Sequence, residues 1–370
     1  MMKSRNEIYK VALVTESLWQ MGGANRVLES FSQIYPNADI FALFGEKENL
    51  SEEILKHSIY FSFLNKFPFI KKLYRYTFSL WPVAIEQFDL SNYDLVISNS
   101  SSVAHGVITS LECRHVAYIN SPMRYAWDLA PLYADLVRFG FLKRAIKEIG
   151  VSFNRLWDVV AAQRADLIIT NSEFVKKRVE KYWGREVNAV VYPPVDMYKG
   201  KIFKKRKEYF VSGAPFEPNK RGDFLLECAS QLGFNLKIIG VGSMRNRLKR
   251  KYRRFKNIEF LNWITEEEKW KLLSSARGYI VAGIEDYGIF CAEAISCGTP
   301  VIAFNQGGSR EIVKEGTSGV FFDRWDIKKF EKAVERFNSI NWNYEQVKNS
   351  LDNVNCKEDF KKEIRKVLVE

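Results

Sequence analysis

The sequence predicts an α/β protein built from two doubly wound parallel sheets. Three observations carry that expectation. Short β-type runs alternate with helix-period segments along the chain, many of the runs lack strict polar–apolar alternation, and the series breaks once, at Tyr192-Pro193-Pro194-Val195. Unbroken apolar runs suit parallel strands covered on both faces, and the alternation with helices suits a wound sheet. At roughly 100–200 residues per domain, the 370 residues suit two domains.

The expected strands are Lys10–Thr15, Asp39–Phe44, Asp94–Ser98, Val116–Ile119, Asp166–Thr170, Ala189–Tyr192, Tyr209–Ser212, Leu236–Ile239, Ile258–Leu261, Tyr279–Val281, Val301–Phe304 and Val320–Phe322. After the first, Val27, Leu28, Phe31 and Ile34 form an apolar stripe at helical spacing. Two runs echo each other, Asp94-Leu-Val-Ile-Ser-Asn-Ser100 and Asp166-Leu-Ile-Ile-Thr-Asn-Ser172. Their polar ends either line one crevice, as strand ends do in open α/β sheets, or form turns and helix caps. The paired prolines cannot continue a helix or a central strand, and the basic run Lys199–Lys207 follows. The domain boundary is therefore expected near residue 195.

Hydrophobic residues make up 46%, enough for two ordinary cores. No apolar run approaches the roughly 18–20 residues that span a bilayer, and Val11–Val14 reads as a buried strand rather than a signal peptide. A cytoplasmic location is expected, with surface docking the one route to a membrane. The five cysteines (Cys113, Cys228, Cys291, Cys297, Cys356) are odd in number and lack paired short spacing, so structural thiols are expected. His57, His105 and His115 have no zinc spacing, and no Asp-x-Asp occurs, so no metal is expected. A net charge of +12 favours an anionic partner: nucleic acid, phospholipid or a nucleotide.

The most specific stretch is Glu285-Asp286-Tyr287-Gly288-Ile289-Phe290-Cys291-Ala292-Glu293-Ala294. It follows an expected buried strand and runs into helix-like sequence. Gly288 permits close backbone approach, and the amides at a helix start suit a phosphate. Carboxylates on either side suit the hydroxyls of a sugar or ribose; they would also suit a helix start for its dipole alone. Upstream, Lys220-Arg221 follows the first strand of the second half. A lysine there can neutralise a diphosphate leaving group, or stand as an exposed cation in a turn with Pro218 and Asn219.

The Glu285–Glu293 stretch resembles the E-x7-E signature of family 4 retaining glycosyltransferases. Met21-Gly22-Gly23-Ala24-Asn25-Arg26, Ser121-Pro122-Met123-Arg124-Tyr125-Ala126-Trp127-Asp128, Tyr182–Arg185, Tyr192–Asp196 and Lys220-Arg221 are similar, in the same order, to blocks of bacterial O-antigen and exopolysaccharide mannosyltransferases. Several ordered blocks are far more specific than one motif. The resemblance implies the GT-B fold, with two facing Rossmann-like domains at 1–195 (acceptor) and 196–345 (nucleotide sugar), and a tail, 346–370, that crosses back to the first.

By resemblance, Glu285 contacts the donor sugar and Glu293 the nucleotide ribose, while Tyr287, Gly288 and Ile289 offer backbone groups to the donor. Lys220 and Arg221 serve the diphosphate. Asn120 joins Glu285 and Lys220 as a catalytic candidate, and Gly22, Gly23, Arg124, Asp128 and His105 are expected on the acceptor side, His105 alternatively as a structural residue. The implied reaction retains anomeric configuration, needs no cofactor or metal beyond a GDP- or UDP-linked sugar, and suits a polyprenyl-linked glycan acceptor, with α-mannose the leading sugar. Two positions depart from the family pattern. Ala214 stands where many relatives carry Arg six residues before the Lys, an Arg that the mannosyltransferase-like branch often lacks too, and Asn120 stands where that branch usually carries His. Asn can offer a hydrogen bond but cannot titrate.

Two segments mix aromatics with cations: Tyr60–Trp81 and Arg138–Lys147. They are expected either to dock on an anionic inner-leaflet surface or to pack as ordinary helices. Arg245–Lys256 holds eight basic residues in twelve, at spacing that suits an amphipathic helix with a solvated face. No nucleic-acid module surrounds it, so nucleic acid is not an expected partner. Rival readings are a nucleotide-sugar epimerase on the same fold and a non-catalytic basic adaptor. A dinucleotide oxidoreductase is disfavoured because no G-x-G-x-x-G follows the first strand.

Overall fold

The computed structural model describes residues 9–134, 141–213, 216–262 and 264–369, and side chains of the helix Phe141–Ala161 from residue 148 onward. Ala214 and the segment 135–140 therefore lie outside the described residues. The chain forms two compact units, Met1–Pro194 with Lys357–Glu370, and Val195–Cys356.

The first unit carries β1 (Val11–Leu18), β2 (Asp39–Gly45), β3 (Ile59–Phe61), β4 (Leu95–Ser100), β5 (Arg114–Ile119), β6 (Leu167–Thr170) and β7 (Ala189–Val190), in the order β3-β2-β1-β4-β5-β6-β7. All neighbouring pairs are parallel, with Leu13 level with Ile40 and Ile97 at the centre. Central strands are buried on both faces, which is why their sequences read as apolar runs. β3 was not expected. It is a three-residue edge strand, only half-buried, and carries too little periodicity to stand out from the aromatic segment that begins at Tyr60.

The second unit carries β8 (Lys207–Gly213), β9 (Leu236–Ile239), β10 (Ile258–Leu261), β11 (Ala276–Val281), β12 (Val301–Phe304) and β13 (Gly319–Phe322). Their order is β10-β9-β8-β11-β12-β13, again all parallel. The expected helix at the basic run forms over Arg245–Tyr252, with Leu248 and Tyr252 turned inward. Half-buried Arg206 donates to the carbonyls of Cys297 and Gly298 and lies over the Tyr344 ring, so the loop before β12 is tied from below.

The returning segment is shorter than 346–370. The helix Tyr344–Asn349 belongs to the second unit, and only Lys357 onward joins the first. The helix Lys357–Val369 buries Phe360 and Ile364 in the first core. Phe360 meets Phe31 and Tyr118 edge-on at 5.6 and 5.7 Å, and Lys357 reaches Glu29 at 3.3 Å. All five cysteines are unpaired thiols. Burial pushes Cys113 up to about 11 and Cys228 and Cys297 up to about 12, so these remain neutral near pH 7.

Phe360 is fully buried, and deleting so large an aromatic costs about 3–5 kcal/mol. Phe360→Ala is expected to lower the urea midpoint of the first unit while leaving that of the second in place, read by hydrogen exchange resolved to peptides of each unit.

Candidate active site

In the second unit the site is built at the carboxyl ends of the strands, where ligand sites of wound sheets form. The loop after β8 turns at Pro218–Lys220, and Arg221 follows in the left-handed region at φ 50°. This loop is laid against the one after β11: Ile284 N–H donates to the Asn219 carbonyl at 3.0 Å. The approach requires glycine at 283, because a Cβ there would stand 2.2 Å from the Asn219 carbonyl oxygen and 2.4 Å from the Lys220 Cα. The result is that the Lys220 ammonium and the Glu285 carboxylate meet in a direct ion pair.

A third loop, Gln306-Gly307-Gly308 after β12, supports the Glu285 segment from its other side. Gly308 N–H donates to the Glu285 carbonyl at 2.8 Å, and Gly307 bridges Glu285. A Cβ on Gly307 would lie 2.5 Å from the Glu285 carbonyl oxygen, and one on Gly308 2.4 Å from that of Asp286. Gly288, at φ 109° and ψ 50°, is the N-cap of the helix Ile289–Ser296, a conformation that only glycine adopts at low cost. Beneath the turn, the buried Tyr287 donates its hydroxyl to the Asn353 carbonyl at 2.9 Å.

Glu293 sits inside that helix and is almost fully buried. Lys269, from the helix Glu266–Ser275, places Nζ 2.7 Å from Glu293 and 2.7 Å from Glu266. The carboxylate oxygens of Asp196, Glu266 and Glu293 lie within 4.8 Å of one another. Sequence reasoning missed Lys269, which lies 24 positions from its partner in a run of surface-like charges. Only its place one turn after the capping residue Thr265 hints that it points inward. Arg221 stands against aromatic rings. Its guanidinium lies over the Trp325 ring at 4.2 Å, and Trp325 stacks in turn on Phe304 at 4.4 Å.

In the first unit the strand ends are joined by asparagines. Asn120 follows β5 and donates from Nδ2 to Asn99 Oδ1 at 2.7 Å; Asn99 donates to the Ala24 carbonyl at 2.7 Å; Asn171 donates to the Asn120 carbonyl at 3.1 Å. The two echoing runs thus tie strand ends together, and Ser172 also caps the helix Glu173–Trp183. Gly22 and Gly23 open the helix Gly23–Ile34, with no side-chain cap among the described residues, and a Cβ at Gly22 would meet nothing within 4 Å. The Glu16 carboxylate, unremarked in the sequence, accepts the amides of Ser101, Ser102, Val103 and Ala104 at 2.8–3.1 Å.

One acceptor-side expectation needs correction. His105 is 1% exposed: it stacks on Trp183 at 4.6 Å, with Nδ1 3.1 Å from the Ser100 hydroxyl and Nε2 3.3 Å from Asp158. It is enclosed, so of the two readings the structural one holds. Asp128 pairs with the buried Arg178 at 2.8 Å, which also donates to Ser121. The Ser121–Asp128 block is thereby locked to the helix Glu173–Trp183, with Trp127 stacked on Tyr182 at 4.9 Å. Arg124 remains partly exposed.

The aromatic, basic segment divides by face. Leu64, Ile70, Ala84 and Ile85 enter the core, while Phe67, Phe69, Tyr76, Leu80 and Val83 stay exposed. The helix Phe141–Ala161 packs on it so closely that a Cβ on Gly150 would lie 2.6 Å from the Ser79 hydroxyl. That helix carries an outward stripe of Ile149, Phe153, Leu156 and Val160. Of the expected Arg138–Lys147 mixture, residues 138–140 lie outside the described residues. No helix among the described residues is long and apolar enough to cross a membrane.

Comparison with known proteins agrees with this architecture. The family model described as Glycosyltransferase Family 4 matches residues 21–199, and that described as Glycosyl transferases group 1 matches residues 196–351. An uncharacterized glycosyltransferase of Methanocaldococcus jannaschii is 27% identical over 208 residues, 54% of this chain and 55% of that protein. The chain therefore spans about half the length of that relative. Among solved structures, Anabaena HepE in complex with UDP and glucose superposes with a TM-score of 0.68 at 14% identity, covering 97% of this chain and 99% of the other. The lipopolysaccharide outer core galactosyltransferase WaaB gives 0.64 at 16% identity, with coverages of 97% and 99%. With two family models that together run from residue 21 to residue 351, over two parallel sheets of seven and six strands, the chain belongs to the family 4 glycosyltransferases of GT-B fold.

Proposed function

We propose that the protein transfers a hexosyl group, with retention at the anomeric carbon and without a metal ion, from a nucleoside-diphosphate sugar to a lipid-linked oligosaccharide at the inner face of the cell membrane. The observation that carries this reading is the Lys220–Glu285 ion pair beside the glycine-capped start of the helix Ile289–Ser296. It sets a cation, a hydroxyl acceptor and a helix N-terminus side by side. In the reaction the bond from the anomeric carbon to the diphosphate oxygen breaks, and the acceptor hydroxyl oxygen bonds to that carbon on the same face. The acceptor proton passes to the departing diphosphate. Lys220 neutralises the charge that grows there, the electrostatic work a metal does elsewhere, and Glu285 accepts a hydrogen bond from the sugar.

GDP-mannose is the leading donor, on the resemblance of the Ser121–Asp128 and Lys220-Arg221 blocks to mannosyltransferases. A UDP-hexose is the second reading, favoured by the solved complex of HepE with UDP and glucose. The lipid-linked acceptor draws support from the lipopolysaccharide role of WaaB and from the exposed surface of the first unit. There, exposed Lys66, Lys72, Phe69 and Tyr76 adjoin the segment packed against the Phe141–Ala161 helix, a mixture of cations and aromatics suited to a bilayer interface.

Calorimetry with GDP, UDP, ADP, CDP and dTDP, without added metal, is expected to show binding selective for GDP. Selectivity for UDP would replace mannose with a UDP-hexose, and binding of none by the folded protein would overturn the reading. Lys220→Ala is expected to lower kcat by about 10²–10³. Gly308→Val, which forces the Glu285 segment aside, is expected to cost about 10² in kcat/KM, both measured by donor turnover. Sedimentation with anionic vesicles at low salt is expected to carry the protein down, and Phe69→Asp with Leu156→Asp to leave it in the supernatant.

A further inference from the structure

Lys269 stands out among the charged groups of the second unit that the proposed reaction does not use. Its side chain is 5% exposed, and its ammonium lies 2.7 Å from the carboxylate of Glu293, whose side chain is 2% exposed. A lysine is rarely buried to this degree unless paired, and here it faces carboxylates from two separate helices, with Asp196 close by. Its stem is fixed by aromatic rings: Nζ lies 4.3 Å from the Trp270 centroid and 6.0 Å from that of Phe290. Phe290 stacks on Tyr279 at 5.5 Å, so the ammonium has little room to leave.

We infer that Lys269 is a positioning residue for nucleotide recognition: its ammonium holds the Glu293 carboxylate in place, so that it accepts the donor's ribose hydroxyls. This inference rests on the reading of Glu293 as the ribose contact. The physical need is plain. Three carboxylates this close repel one another, and burial adds to the cost of their charge, so without a cation Glu293 would turn away from the cluster. A carboxylate turned away cannot meet two adjacent hydroxyls, and a hydrogen bond to a charged group is worth about twice one to a neutral group. Lys269 supplies the compensating charge from within the chain.

The test compares the wild type, Lys269→Met, Lys269→Arg and the double variant Lys269→Met/Glu266→Gln. The double variant keeps the net charge of the cluster unchanged and so guards against simple misfolding; each protein's melting is recorded. The probes are the nucleoside diphosphate that the wild type binds and its 2′,3′-dideoxy analogue. The wild type is expected to prefer the ribonucleotide by about 10–100-fold, the size of hydrogen bonds to a charged group. In Lys269→Met and in the double variant that preference is expected to fall to within about threefold, with dideoxy affinity unchanged, and Lys269→Arg to regain most of it. A preference kept in the double variant would overturn the inference, as would a loss that weakens both nucleotides equally. A wild type that binds both nucleotides alike would instead overturn the ribose role of Glu293 on which the inference stands.

Discussion

The second unit depends on one constraint: three loops after β8, β11 and β12 must meet backbone to backbone. Asn219 pairs with Ile284, and Gly308 pairs with Glu285. Every contact closer than a Cβ permits falls at a glycine, at 283, 307 and 308. The pairings leave Lys220 and Glu285 little choice of position, since each side chain springs from a residue adjacent to, or part of, a paired main-chain unit. A preorganised charge pair of this kind costs no reorganisation when a charged ligand arrives. The arrangement also explains why Tyr287 is buried although it lies in a loop: its hydroxyl-anchored ring is the post on which the turn rests.

The first unit meets the same need with side chains. Buried polar groups must find partners, and here the partners knit the strand ends into one rim. Glu16 gathers four consecutive amides at the end of β4, and the chain of Asn99, Asn120 and Asn171 links β4, β5 and β6 with the start of the first helix. Asn120 stands where a histidine was expected by resemblance, and it is a member of this network rather than an isolated substitution. An imidazole would need the matching ring nitrogen protonated to donate to Asn99, whereas the backbone carbonyl of residue 120 accepts from Asn171 whatever side chain stands there. His105, by contrast, lies beneath the rim among tryptophans.

What was legible in the sequence follows from range. The twelve expected strands all form, because unbroken apolar runs in parallel sheets are a local signal. β3 escaped because an edge strand of three half-buried residues carries almost none. The Glu285–Glu293 helix start and Lys220 were legible because glycine, helix onset and acid spacing sit together in a few residues. Lys269, Glu16 and Gly307-Gly308 were not. Their meaning lies in partners between 22 and 88 residues away, and no local pattern separates a lysine that will be buried from one that will be solvated. The Ser121–Asp128 block was legible as a block, but its residues lock a helix in place through Arg178 and Trp127.

Two lysine–glutamate pairs therefore take their glutamates from one ten-residue stretch, Glu285–Ala294, and their burial assigns them opposite behaviour. The side chains of Lys220 and Glu285 are 20% and 18% exposed, whereas those of Lys269 and Glu293 are 5% and 2% exposed. Water screens the first pair, so it gains little from its own attraction and can exchange partners when a diphosphate and a sugar hydroxyl arrive. Separating the second pair would strand a buried charge, at a cost of about 3–5 kcal/mol. Such a pair resists opening. One end of the stretch is thus built to change its bonds and the other to keep them. On the proposed reaction, the end beside the diphosphate changes partners while the end set to meet the ribose keeps its geometry.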